Sequence, residues 1–259
     1  MKDFHFYQAY KIASIADEVA DDFFFYSEIP WDEHSALECL TSPSKISILH
    51  WYIYRVIHVT TSEEYRDADF IELEDIKKLE RAFNTYKVEL QSFRKFRASH
   101  HSRDNDLSKL FYQWFESEHD SFTLLWELLT DEVHHILFGN RNFLLRFNST
   151  LAEFLEEGNV KLPASFLNGR GKLRRCTYVP IWLRKAIYFR DQGRCVFCQK
   201  DLSGLLSTDR RLHFDHMVPL YLWGTNDPSN FQLLCESCNL KKSKKSGATS
   251  NKYPPWWDE

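Results

Sequence analysis

From Phe122 to Leu137 the apolar residues Phe122, Leu125, Trp126, Leu129, Val133, Ile136 and Leu137 recur at offsets of 0, 3, 4, 7, 11, 14 and 15. Steps of three and four place all seven on one face of an α-helix. Looser versions of the same pattern cover roughly Phe4 to Tyr26, Ser44 to Val59, Leu73 to Phe96 and Arg141 to Leu155, interrupted at Pro30, Pro43 and Gly139. The first 168 residues therefore read as five to seven helices in a bundle-like packing. With 8 Gly and 8 Pro in 259 residues, turns are scarce and few strands are expected. No repeat period or low-complexity tract stands out, which argues against a solenoid.

Composition excludes several classes. At 43% hydrophobic and 27% charged residues, the chain can bury a normal core and is neither disordered nor fibrous. The most apolar stretch, Trp51 to Val59, is short and carries Arg55 and His58, so no membrane span is expected. The first residues lack the basic and apolar regions of a secretory signal, and the expected location is the cytoplasm.

Charge then divides the chain. Residues 1–168 hold 17 Lys and Arg against 29 Asp and Glu, a balance of −12, whereas residues 169–259 hold 16 against 8, a balance of +8. Five of the six cysteines also fall in the second part, and Asn168-Gly-Arg-Gly-Lys172 reads as a basic, flexible junction. The expected organisation is an acidic, all-helical, regulatory or partner-binding domain over 1–168 and a basic domain over 169–259 whose charge suits a polyanion.

The acidic part offers little chemistry. Glu116-Ser-Glu-His119 and Glu132-Val-His-His135 are Glu-x-x-His pairs of the kind that hold two metal ions in helical bundles. They lie too close together for facing helices, and ordinary solvated faces are expected instead. His100-His101 reads as part of a polar loop with Ser102 to Asn105. The aromatic residues Phe23, Phe24, Phe25, Trp51, Trp114 and Trp126 read as core, with a docking surface as the alternative.

The basic part is different. Cys195-Val-Phe-Cys198 and Cys235-Glu-Ser-Cys238 are two Cys-x-x-Cys pairs separated by 36 residues, the spacing of a tetrahedral four-cysteine zinc site. Zinc held by four thiolates has no open position for water, so its expected role is structural. Two disulfides suit a chain without an export signal poorly, and a redox pair would need a βαβ context. Cys39 and Cys176 lack a near cysteine partner and read as plain thiols.

Between and beside the knuckles lie Asp215-His216, then Asn230 fourteen residues on, then Asn239 nine residues later. With the lead-in stretch Pro180 to Gly193, this order resembles the HNH endonuclease family in its His-Asn-Asn variant, over about Pro180 to Gly247. The resemblance implies an α+β, mostly α chain, with a helical N-terminal half followed by a small zinc-supported ββα-metal domain. That domain would comprise a lead-in helix, a two-stranded hairpin ending near Asp215 and a helix from about Glu236. It also implies that His216 is the general base, that Asp215 and Asn239 hold a catalytic Mg²⁺ or Mn²⁺, and that Asn230 tethers the loop orienting His216.

The residue chemistry agrees. Phosphodiester hydrolysis needs a base to activate water and a cation for the developing charge. An imidazole suits the first task near neutral pH, with a loss of rate expected below roughly pH 6.5. Asp215 and Asn239 are hard oxygen donors suited to Mg²⁺ or Mn²⁺. Strand alternation turns His213 away from the His216 face, as a structural or phosphate-facing residue. Arg174, Arg175, Arg184, Lys185, Lys241, Lys242, Lys244 and Lys245 are the expected phosphate contacts, with Arg170 and Lys172 just upstream. The tail from Tyr253 is expected to pack on the domain.

The expectation is a metal-dependent endonuclease acting on DNA, with RNA open as substrate because nothing senses a 2′-hydroxyl. Its rival is a zinc module that binds nucleic acid without cutting it. By resemblance, such fusions are expected to be components of bacterial restriction, anti-phage defence or mobile elements. The acidic half would then restrain the nuclease or dock a partner such as an ATPase, with an inert bundle as the alternative.

Overall fold

A computed structural model describes residues 4–66, 71–100, 106–204, 212–243 and 246–253. The chain is mostly helical with one small antiparallel sheet near the C-terminus. Among the described residues the first 168 hold nine α-helices: α1 Ala9–Glu18, α2 Phe23–Ser27, α3 His34–Thr41, α4 Ile48–Arg66, α5 Leu73–Tyr86, α6 Phe93–Ser99, α7 Leu107–Ser117, α8 His119–Phe138 and α9 Arg141–Glu156. Nine exceed the five to seven expected because two of the five patterned stretches break without Gly or Pro, and because α3 and α7 lie outside all five. Leu73 to Phe96 divides at Lys87, which takes a left-handed conformation (φ 56°) and sends its N–H back to the end of α5. Phe4 to Tyr26 divides before Asp22, whose carboxylate caps α2 by accepting from Phe24 N.

Two compact units are present, Met1–Ile15 with Ile53–His134 and Ala16–Tyr52 with His135–Glu259. The first has an aromatic core in which Phe83, Trp114 and Phe115 pack against Phe122 with ring centroids 4.9, 5.9 and 4.7 Å away. The expected face of α8 is buried at Phe122, Leu125, Trp126, Leu129, Val133 and Leu137. Glu132 departs from expectation, since it is buried and accepts from His5 N (2.5 Å), Phe6 N (2.9 Å) and the Tyr86 hydroxyl (2.6 Å). Its carboxylate ties the N-terminal segment to α5. Glu116 ends on α7 and His119 opens α8, so the first Glu-x-x-His does not share a helix. His101 to Asn105 lie outside the described residues. Of the aromatic triplet expected in the core, Phe25 is buried and Phe24 is exposed.

The second unit carries the chemistry. It adds α10 Ile181–Arg190, strands β1 His213–His216 and β2 Phe231–Leu234, and α11 Glu236–Lys242. The strands are antiparallel, pairing His213 with Leu234, Asp215 with Gln232 and His216 with Phe231. The Asp215-His216 pair thus closes β1, and the hairpin runs on through β2 to Leu234. All four residues of β2 are buried, and Phe231, Leu233 and Leu234 join Leu183, Ile187, Cys195, Val196 and Leu202 in one core. Gly193 (φ 63°) turns the chain out of α10, donating to Tyr188 O at 2.8 Å, at a place where a side chain would meet the Tyr188 ring.

This unit does not divide at Gly169, where charge and cysteine content change. Helices of the acidic half complete its interior. Arg141 on α9 meets Asp191 at 3.2 Å, Arg190 meets the same carboxylate at 2.9 Å, and Asp191 accepts from Leu233 N of β2 at 2.9 Å. A charge buried this deeply without a partner costs roughly 3–5 kcal/mol. Asn148 bonds Ser229 at 3.1 Å, and Asp227 accepts from Ile48 N at 2.7 Å, capping α4. The Asn168–Lys172 junction is a tight turn, closed by Asn168 N on Lys172 O (2.8 Å) and Arg170 N on the Asn168 side chain (2.9 Å). Arg141 donates to the carbonyls of Ser250 and Lys252, both at 2.6 Å, and thereby anchors the C-terminal segment through Tyr253. Residues 254–259 lie outside the described residues. No described helix is long and apolar enough to cross a membrane.

Candidate active site and metal centre

The two cysteine pairs converge. Cys195 and Cys198 follow α10 in a turn where Cys195 N bonds Lys200 O and Val196 N bonds Leu233 O of β2. Cys235 precedes α11, and Cys238 lies in its first turn. The four sulfurs all lie within 4.8 Å of one another, and all six cysteines are free thiols. Among the described residues no other group of three or more His, Cys, Asp or Glu side chains has metal-holding spacing. Burial raises the Cys235 thiol, but Ser237 and the neighbouring thiols outweigh it and bring it down to about 6. Burial and the neighbouring thiols of Cys235, Cys198 and Cys195 push Cys238 up. One proton leaves such a cluster easily and the last is held hard, because crowded thiolates repel one another. A tetrahedral dication removes that repulsion, and the donor set fits zinc.

On the other side of the same hairpin, His216 closes β1 with only 5% of its surface exposed. Its Nε2 lies 3.2 Å from Asn226 Oδ1. The Asn226 amide is fixed by four contacts. Its Nδ2 donates to Leu40 O (3.3 Å) and Arg174 O (2.7 Å), so Oδ1 is the atom facing Cys176 N (3.1 Å) and His216. From this network we assign the hydrogen to His216 Nε2, which leaves the Nδ1 lone pair to accept a proton. Burial, then Arg175, then Lys242 push the imidazole down to about 3, so the ring is neutral near pH 7.

Asn226 is absent from the expected site residues. Only its position ten residues after His216 in a polar loop marks it in the sequence, and polar loops are ordinarily exposed. Here Thr225, Asn226, Asp227, Ser229, Asn230 and Gln232 are all buried. Asn230 accepts from Val218 N (2.8 Å) and donates to Val218 O and Thr225 O, both at 2.9 Å, clamping the loop after His216. Gly224 is required there, because a Cβ would stand 1.9 Å from Val218 O.

Asp215 and His213 share the other face of β1. Asn239 of α11 places Nδ2 3.3 Å from His213 Nδ1, leaving its amide oxygen, with the Asp215 carboxylate, as hard donors suited to Mg²⁺ or Mn²⁺. Lys242 overturns an expectation. Its side chain is only 3% exposed, and its ammonium lies 3.0 Å from Asp215 Oδ2 and 2.7 Å from His216 O. It lies three residues beyond Asn239 and so shares the helix face turned to β1, which makes it an internal counter-ion instead of an outer phosphate contact. Arg174, Arg175, Arg184, Lys185 and Lys241 are exposed. Arg174 and Arg184 spend one donor each on Leu167 O and Val179 O, both at 2.8 Å. Lys244 and Lys245 lie outside the described residues.

The HNH endonuclease family model matches residues 195–245, which include both cysteine pairs, Asp215, His216, Asn230 and Asn239. No curated protein and no solved structure matches the chain.

Proposed function

We propose, on the premise of that match, that the chain is a metal-dependent endonuclease hydrolysing phosphodiester bonds of DNA. The observation that carries this reading is the buried, neutral His216, locked through Nε2 by Asn226 with Nδ1 left to accept a proton, in a cleft that Asp215 also lines. Nδ1 takes a proton from water as its oxygen attacks phosphorus, and Asn226 keeps the ring in that tautomer. Asn230 holds the backbone on which the ring is carried. Asp215 and Asn239 would hold Mg²⁺ or Mn²⁺, which supplies Lewis-acid stabilisation of charge on the phosphate and the leaving oxygen. Arg175, close enough to bias the His216 ring, attracts the phosphate. Zinc at the four cysteines would hold α11 and β2 in register. The partner-binding role of residues 1–168, and with it a place in restriction or defence beside a partner such as an ATPase, rests on their charge and their fusion to this site.

A second reading, nucleic-acid binding without cleavage, draws on Lys242, whose ammonium already neutralises Asp215. Supercoiled plasmid and an RNA transcript, each incubated with full-length protein with and without Mg²⁺ or Mn²⁺, separate the two. Plasmid cleavage that needs added metal, stops in EDTA and returns on re-addition is the expected result. Binding without cleavage under every metal condition overturns the nuclease reading, and cleavage of the transcript alone moves the substrate to RNA.

The pH profile is expected to depart from that of an ordinary histidine base. A base whose pKa is lowered stays unprotonated into more acidic solution, so the falling limb moves away from roughly pH 6.5 toward acid. Cleavage in Mn²⁺ should hold within about twofold between pH 7 and 5.5. A decline of about tenfold per pH unit beginning at 6.5 would show that His216 titrates as an exposed imidazole.

A further inference from the structure

Beside Asp215 and His216 lies a cleft of about 240 Å³, smaller than the roughly 300–1,000 Å³ pockets that enclose drug-sized ligands. One wall is the tight turn Asn168–Lys172, which lies upstream of the matched segment and presents Arg170. A second wall is the 3₁₀ turn Leu220–Leu222, whose Tyr221 is 57% exposed. Lys172 is already committed, with its ammonium 3.3 Å from Glu156 and 4.3 Å above the Trp223 ring. Arg170 and Arg175 are exposed, and among the described residues neither guanidinium is paired with a carboxylate. His216 is nearly sealed at the floor.

These features constrain the strand that can react. His216 and Asp215 both line this cleft, so a phosphate that enters it comes against them. In a duplex each phosphate is backed by a stacked, paired nucleotide, which holds the backbone at the rim. An unpaired strand can lay its backbone into the cleft, with a phosphate near Arg170 and Arg175 and its base flat on Tyr221, the pairing of cationic groove and aromatic platform that holds single strands. Resting on the nuclease reading, we propose that this cleft is a subsite for an unpaired nucleotide next to the scissile phosphate, and that the preferred substrate is single-stranded or locally opened DNA.

The test reads binding, so that it stands apart from cleavage. Full-length protein without added divalent ions is titrated against a fluorescent 20-nucleotide single strand and against the same strand in duplex, with the DNA checked afterwards for integrity. The single strand is expected to bind at least about tenfold tighter. Tyr221→Ala should weaken single-strand binding by roughly fivefold to 100-fold and change duplex binding by less than about twofold. Arg170→Ala should weaken single-strand binding and reduce its salt slope by about one. Equal affinity for the two forms, or a Tyr221→Ala protein that binds the single strand as wild type does, overturns the subsite. A chain that cuts plasmid while failing these tests keeps the nuclease reading and loses the subsite. A chain that passes them but never cuts keeps the subsite as a binding site and loses the nuclease.

Discussion

His216→Ala is expected to lower metal-dependent plasmid cleavage by roughly 10²- to 10⁴-fold, the usual contribution of a positioned general base. The ring has no part in the four-cysteine cluster, and among the described residues its side chain hydrogen-bonds Asn226 alone. Zinc content, measured by elemental analysis, should therefore stay at wild-type level, as should binding of uncut DNA. Truncation leaves space beside Phe231, whose ring centroid is 4.4 Å from that of His216, so a modest drop in melting temperature is compatible with the assignment. Cleavage by the variant at the wild-type rate sinks the role of His216. Loss of zinc together with activity would instead show that the substitution damages the fold.

Cys235→Ser should have the largest effect on structure. The substitution keeps the size of the side chain but removes one of four soft ligands, and structural zinc in small domains supplies about 10–16 kcal/mol of apparent binding free energy at neutral pH. Cys235 is 2% exposed and belongs to the same core as Leu233 and Leu234, so metal loss and core disruption coincide. Zinc should fall from about one equivalent to near none, with a large drop in the melting temperature of the second unit and loss of cleavage. Cys176→Ser is the control, since that thiol lies outside the cluster and should leave zinc content unchanged. A Cys235→Ser protein with a full zinc equivalent and normal melting would falsify the four-cysteine centre.

Much of this site was legible in the chain, because some functional groups are specified by residue type and local spacing. A Cys-x-x-Cys turn brings two thiols to one point whatever the rest of the fold does, and the pairs at 195/198 and 235/238 do converge. The helical period of Phe122 to Leu137 marked a face that is buried. Asp215 and Asn239 are oxygen donors, and His216 is a proton acceptor, by their own chemistry. Other expectations depended on surroundings the pattern does not contain. Lys242 reads as one more lysine in a basic run, yet its helix face turns it inward onto Asp215. Glu132 reads as a charge on a solvated face, yet three donors meet its carboxylate.

By itself, then, the sequence determined the helical character of the first 168 residues, the four-thiol centre, and the order of Asp, His and Asn side chains around a hairpin. Tertiary structure alone decided which nitrogen of His216 is free, because that depends on which atom of Asn226 faces the ring. Asn226 is oriented by carbonyls at Leu40 and Arg174, and Ile48, bonded to Asp227, is 179 residues away in the chain. The same holds for the domain boundary, since the change of charge at Gly169 is a surface property whereas the core is closed by Arg141, Asn148 and Ile48 from the acidic half. A buried polar group must be satisfied wherever a partner can be found, and for this loop the partners came from segments that local sequence cannot bring together.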